Sequence, residues 1–176
     1  MKATSLLAKQ HKKVKSLFKK LESGKGDRQD LNELANDLGA HMAIEQQIFY
    51  PAVRKVDSDL VGESFEEHAL AEIALKRLLA VSMDAEAWKA RLVVLKELIL
   101  HHVEEEEGEL FPRVERALGD QALNDLGRRM KPMFDECVER GFESLVPRGN
   151  GTTSADVVAR RGAPLRARGN GATAHR

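Results

Sequence analysis

The sequence predicts an all-α protein, an up-down-up-down four-helix bundle with a short fifth helix and a disordered C-terminal tail. Three observations lead there. Apolar residues recur at steps of three and four in five segments, and no segment alternates as a strand would. The first four segments are joined by short, punctuated connections, which favour antiparallel neighbours. After Phe142 the periodic apolar residues give way to Gly, Ala, Arg and Thr, a composition that cannot bury a core. The predicted division is a bundle domain over 1–143 and a basic tail over 144–176.

The first helix is predicted over Ser5 to Glu22, with the stripe Leu7, His11, Val14, Phe18, Leu21, a cap at Thr4 or Ser5, and a stop at Gly24-Lys25-Gly26. The second runs from Asp30 to Val56 on Leu31, Leu34, Leu38, His41, Glu45, Ile48 and Ala52, and Pro51 should kink or loosen its last turn. The third, Asp59 to Val81, carries Phe65, His68, Glu72, Leu75 and Leu79. The fourth, capped by Asp84 and reaching Ala117, carries Trp88, Leu92, Leu95, Ile99, His102, Glu106 and Leu110. The fifth, Asp120 to Arg140, is shorter and holds Gly127 and Pro132 as interruptions. Leu145-Val146-Pro147-Arg148-Gly149, at the start of the tail, also matches a thrombin-type cleavage sequence, so an appended tail is one reading of it.

Composition narrows the function. Aromatics make up only 5% of the chain, so the core is built from Leu, Val, Ile and Ala. The net charge is zero but uneven: residues from 145 onward carry six Arg and one Asp, leaving 22 basic and 27 acidic residues before them. A body of net charge −5 gives no reason to expect nucleic-acid binding by the folded domain. Cys137 is the single cysteine, which excludes an intrachain disulfide and a Cys-rich zinc site. The apolar run Leu6–Ala8 is too short for a signal-peptide core, and no stretch approaches the ~18 apolar residues of a membrane span. The expected location is cytoplasmic.

Two motifs carry the chemistry, HMAIEQQIFYP at 41–51 and HVEEEEGELFP at 102–112. Each has His first, Glu fifth, an aromatic tenth and Pro eleventh. Residues four apart share a helix face about one turn apart, so each His and Glu can reach one metal centre, with the longer Glu able to bridge to a second. Calcium and magnesium prefer all-oxygen shells, whereas iron accepts imidazole and carboxylate together. His11 and His68, alone on the alternate helices, add one imidazole per metal. A lone His on an apolar face is usually a hydrogen-bonded core residue, and a lone His-x3-Glu is usually a surface pair. Four His on four buried stripes together with two Glu are different, because buried unpartnered carboxylates cost several kcal/mol. The expected cofactor is two non-haem iron ions, with manganese or zinc as the other cations such donors accept.

With DLGRRMKPMFDE at 125–136 behind them, these motifs resemble the hemerythrin-like (HHE cation-binding) family over residues 4–140. The resemblance implies a di-iron four-helix bundle that handles O2, nitric oxide, peroxide or iron. Carried over by position, it implies that His11 and His41 serve one iron, His68 and His102 the other, and that Glu45 and Glu106 bridge. The sequence departs from the oxygen carriers at Glu72, where they have a second third-helix His. Glu72 is then a terminal ligand, a base behind His68, or a polar residue facing a wet pocket. Of the doublet His101-His102, His101 to Glu106 makes the five-residue step of the oxygen carriers' last ligand pair, whereas His102 to Glu106 and Pro112 repeats His41 to Glu45 and Pro51; the repeat favours His102 and makes His101 the flanking alternative. Tyr50 is expected to pack at the helix end rather than act at the metals, Lys15 to be solvated, and Trp88 and Cys137 to be packing residues. A ferritin-type site would use four carboxylates and two imidazoles, the reverse of this balance.

The expected function is binding or sensing of O2, nitric oxide or peroxide. The alternatives are an enzyme acting on peroxide or nitric oxide, an iron store or donor, and a metal-free helical interaction domain. Any sensing role calls for a redox or signalling partner protein, and no membrane partner is expected.

Overall fold

The computed structural model describes residues 1–147 and 153–155. Helix α1 spans Ala3–Glu22 and α2 spans Arg28–Ile44; a five-residue π-helical turn, Glu45–Phe49, joins α2 to the short α3, Tyr50–Val53. Helix α4 spans Ser58–Leu79 and α5 spans Glu86–Glu105; a second π turn, Glu106–Leu110, leads into α6, Phe111–Arg140, and α7 is the single turn Phe142–Leu145. Helices α1 and α2 pack together, as do α4 and α5, and the pairs close through α1 against α5 and α2 against α4. This is the predicted up-down-up-down bundle. The far half of α6 folds back across α1 and α2 as the fifth helix.

The two π turns follow from the motifs. Proline lacks an N–H and its ring crowds the carbonyl four residues back, so Pro51 and Pro112 each spoil the regular ladder. The chain widens just upstream: Tyr50 N–H donates to Glu45 O and Phe111 N–H donates to Glu106 O, each five residues back. Each widened turn starts at the motif glutamate.

Several ends differ from expectation. Helix α1 begins after Lys2 without a side-chain cap, and Thr4 instead donates its hydroxyl to Glu115 at 2.6 Å. Helix α2 is held by a reciprocal box in which Asp27 and Asp30 accept each other's backbone N–H. Asp57 caps α4 through Leu60 N–H. Asp84 does not cap α5; its carboxylate accepts from Ser82, and Ala85 takes the cap position.

The predicted break between the fourth and fifth helices is Gly119, whose φ of 73° and ψ of 171° leave the helical region inside α6. The expected interruptions at Gly127 and Pro132 do not occur, since Gly119 is the one non-helical residue within α6. At Gly127 a Cβ would collide with the Met1 carbonyl, so its bare backbone is a docking face for the N-terminus. Pro132 lies on the exposed side, where water can satisfy the carbonyl it leaves without a partner.

Most of the predicted tail lies outside the described residues. Residues 144–147 and 153–155, which are described, lie against the bundle. Phe142 N–H donates to Asn36 Oδ1, Lys76 Nζ donates to the Pro147 carbonyl, and Ser154 N–H donates to Glu72. No helix among the described residues is long and apolar enough to cross a membrane.

The core divides into two apolar clusters stacked along the bundle. One gathers Phe18, Leu34, Leu75, Trp88, Leu92 and Leu95; the other gathers Leu7, Ile44, Phe49, Val61, Leu110 and Leu123. His11, His41, His68 and His102 lie between them, one from each main helix.

Candidate metal centre

Helix α1 places His11 one turn before Val14 and one turn after Leu7, on the stripe that faces the bundle axis. Helices α2, α4 and α5 do the same with His41, His68 and His102, and each π turn opens with a buried glutamate, Glu45 or Glu106. All six residues are at most 4% exposed.

They form two matched groups. His11 Nε2 lies 3.2 Å from His41 Nε2, and His68 Nε2 lies 3.1 Å from His102 Nε2. Glu45 Oε2 is 3.0 Å from His41 Nε2 and 3.3 Å from His68 Nε2, so one carboxylate oxygen faces both groups. Glu106 Oε2 likewise stands 3.4 Å from His11 Nε2 and 3.6 Å from His102 Nε2. Donor atoms of His11, His41, Glu45 and Glu106 all lie within 4.8 Å of one another, as do those of Glu45, His68 and His102.

The outer nitrogens explain why the inner ones converge. His11 Nδ1 lies 2.8 Å from Glu107 Oε1, His41 Nδ1 2.8 Å from Gln10 Oε1, and His102 Nδ1 2.8 Å from Glu67 Oε2. Those oxygens can only accept, so each Nδ1 carries the proton and each Nε2 presents a lone pair inward. His68 Nδ1 meets the Gln46 amide at 3.2 Å, a group that turns end for end without changing shape to suit the proton His68 carries.

Lone pairs held nitrogen to nitrogen at 3.1–3.2 Å repel unless a metal ion or a shared proton sits between them. Metal–imidazole bonds of about 2.0–2.1 Å place adjacent corners of an octahedron about 3 Å apart, close to this spacing. Glu45 Oε1, Glu45 Oε2 and Glu106 Oε2 are buried and accept no hydrogen bond. Both observations fit a pair of metal ions held by four imidazoles and two carboxylates.

The titration behaviour of the side chains alone shows the same demand for positive charge. Burial opposes protonation of His102, yet Glu106, Glu67 and Glu45 outweigh it and hold its pKa at about 9. His11 is also raised: burial works against the charge, and Glu106, Glu45 and Glu107 overcome it. Glu45 is driven well below the carboxylate range, because His41 and His68 prevail over burial. His68 is lowered, by burial first and by the neighbouring His102 as well.

Tyr50 was expected only to pack. Its ring is fully buried against Phe65 and His68, but its hydroxyl also enters the centre, donating to Glu106 Oε1 at 3.0 Å and standing 3.2 Å from His68 Nε2. Burial, followed by the charges of Glu106 and Glu45, raises the Tyr50 pKa well above 10, so the phenol keeps its proton. The equivalent position of the other motif is Phe111, stacked on His11 at 5.9 Å, so the hydroxyl serves one side of the centre only.

Glu72 stands outside both groups. Its carboxylate pairs with Lys76 at 2.7 Å and accepts Ser154 N–H at 2.8 Å, beside a cavity of about 710 Å³ that Gln46 also lines. His101 is 63% exposed and faces Glu67 and Glu105, so it flanks the centre as the motif spacing suggests. Lys15 lies at the surface 3.8 Å from Glu107, and Trp88 and Cys137 are buried. Gln10, Gln46, Glu67 and Glu107 are the residues sequence reasoning missed. Their signal is adjacency: Gln10 and Glu67 precede the lone histidines, and Gln46 and Glu107 follow the two glutamates.

Residues 2–114 match the family model of the hemerythrin HHE cation-binding domain. The chain belongs to that hemerythrin family. A crystal structure of an HHE cation-binding domain-containing protein from Mycobacterium kansasii superposes with a TM-score of 0.72 at 22% identity, covering 90% of this chain and 99% of that one, and so shares the hemerythrin fold. A curated protein of Nostoc sp. (strain PCC 7120), named a DNA nickase, is 28% identical over 146 residues. That alignment takes in 80% of the present hemerythrin chain but only 41% of the Nostoc protein, so the chain spans less than half of its length.

Proposed function

We propose that this protein holds two non-haem iron ions and uses them to bind or sense O2, nitric oxide or peroxide. The reading rests on the converging Nε2 lone pairs: His11 with His41 and His68 with His102 take one ion each, and Glu45 and Glu106 face both. Iron in such a site supplies a redox-active centre with positions open to a small ligand.

The chain's own residues set what can enter. A void of about 10 Å³, room for about one water-sized molecule, lies among the four imidazoles and the apolar side chains of Val14 and Ile99. The apolar clusters on either side keep bulk water out, so only a very small ligand could reach the space. Glu67 and Glu107 hold the His102 and His11 rings in their ligating tautomer. Tyr50 keeps a neutral O–H aimed at the centre, where it can donate a hydrogen bond to what binds there.

That hydroxyl favours a second reading, an enzyme acting on peroxide or nitric oxide, because a proton donor beside the metals is more than a carrier needs. The Nostoc relative's name adds no DNA chemistry here, since the chain covers less than half of that protein and its body is acidic. A redox or signalling partner protein would receive the output.

The test is an absorption spectrum of anaerobically reduced, iron-loaded protein followed on mixing with air, with iron counted on the same sample. About two irons per chain and a reversible oxygenated band support binding or sensing. Immediate oxidation followed by turnover of peroxide or nitric oxide supports the enzyme. Retention of less than about one iron per chain sinks both.

A further inference from the structure

Helices α4 and α5 leave one face uncovered. Between them runs a groove of about 390 Å³ lined by Leu70, Ile73, Ala74, Val94 and Leu98. Leu70 is 53% exposed and Val94 52%; apart from Met1 they are the exposed large apolar residues among those described, and both sit in this groove. Such residues scattered singly mean little, whereas two side by side in a groove mark a docking face.

The charges around the groove are ordered. On α4, Glu63, Leu70 and Arg77 follow each other at seven-residue steps, and all three are exposed. On α5, Arg91, Leu98 and Glu105 follow each other at the same steps, all three half-buried. The helices are antiparallel, so both arginines lie at one end, where Arg91 donates to the Arg77 carbonyl. Both acids lie at the other end, with Glu67 between them. Each helix thus carries cation, apolar residue and acid in one order along the groove. Seven residues span about 10.5 Å, so cation and acid stand equally far from the apolar centre.

We propose that this face docks a second copy of the chain through a two-fold axis passing near Leu70 and Leu98. Rotation about that axis lays the apolar centre of one copy on that of the other. It also carries Arg77 and Arg91 of each copy over Glu63 and Glu105 of its mate, the self-complementarity an isologous contact requires. The acids that repel within one chain gain cations from the other, and association steered by rim charges weakens with salt.

Sedimentation velocity on the full chain across the micromolar range tests it. The expected result is a reversible monomer–dimer equilibrium that shifts toward monomer in high salt. Val94→Glu should weaken the dimer more than about tenfold, with helical content and bound iron unchanged, since Val94 is exposed and touches none of the ligating side chains. Arg77→Glu and Glu63→Arg should each be monomeric, because each sets like charges against each other across the axis. An equal mixture of the two variants should dimerise again, and so should the double variant Glu63→Arg/Arg77→Glu. A wild-type chain that stays monomeric at every concentration overturns the proposal and leaves the face to a different protein. A dimer indifferent to Val94→Glu, or single variants whose mixture fails to recover it, overturns it as well.

Discussion

Of the four imidazoles at the centre, three give Nδ1–H to an oxygen 2.8 Å away, and that bond decides which nitrogen is left to ligate. Glu67 and Glu107 do this with charge, so each also makes its imidazole a better donor toward a cation. Glu67→Gln and Glu107→Gln should each lower metal affinity about 10–100-fold, read by competition against a chelator, while the helical spectrum stays unchanged. Protons compete for the same lone pairs. With its pKa held at about 9, His102 binds a proton at neutral pH when no metal is present. That proton stabilises the metal-free fold below the ordinary histidine value of 6.5, and the contribution is lost as pH rises through about 9. Metal affinity runs the other way, rising with pH up to about 9 and levelling off above it. Calorimetric metal titrations in buffers of different ionisation enthalpy check this: proton release should be large at neutral pH and fade above about 9. The six converging positions could be read from the sequence because spacing on one helix determines which side chains share a face. The four supporting residues could not. Gln10 and Glu67 sit about 100° around the helix from the histidines they precede in sequence, and each serves a histidine on another helix. Of the three readings of Glu72, the polar residue beside a wet pocket is the one that matches: it lies one turn from His68 on the same stripe, but its carboxylate meets Lys76 and Ser154 N–H beside the cavity and stays outside both ligand groups.

Periodicity was enough to locate the helices, since each buries a stripe against its neighbours. Their irregularities came from two kinds of signal, one readable and one not. Proline chemistry is local, so Pro51 announced a loosened turn, although the form it takes, a π turn opening at Glu45 and repeated at Glu106, needed coordinates. Glycine chemistry depends on what comes near. Gly119 turns the chain, whereas Gly127 continues a helix and makes room for the N-terminus. The two should therefore respond differently to alanine. Gly119→Ala places a Cβ at φ 73° and ψ 171°, a region closed to side chains, at a cost of about 1–3 kcal/mol. Space is not the difficulty there, as nothing lies within 4 Å of the added carbon. Chemical denaturation should show the loss with little change in metal affinity, because Gly119 is more than three turns beyond Glu106. An unchanged denaturation midpoint would contradict the strained-turn account.

The chain as a whole carries its polar layer between two apolar clusters, and this arrangement sets the terms of its stability. Three buried carboxylate oxygens of Glu45 and Glu106 accept no hydrogen bond and destabilise the metal-free bundle once His102 has given up its proton; with cations in place, the same glutamates hold it together. Anything that binds only the folded state adds RT ln(1 + [L]/Kd), about 4 kcal/mol at a thousandfold excess over Kd. For a chain of this length each kcal/mol moves the melting temperature by about 2–4 °C. Loading with metal should therefore raise the melting temperature by roughly 8–16 °C, and chelation should reverse the gain. The double variant Glu45→Leu/Glu106→Leu separates the two contributions. It exchanges the buried carboxylates for apolar side chains of similar volume, a change that is neutral or stabilising when the charges have no counter-ion. Metal-free and above about pH 9, where His102 has lost its proton, the variant should melt at or above the metal-free wild type. With metal added it should gain almost nothing, so the wild type overtakes it. Calorimetric scans of both proteins, with and without metal, would show that crossing of order. If the variant melted well below the wild type under both conditions, the carboxylates would be stabilising the bundle on their own, and the case for metals as their counter-charge would fail.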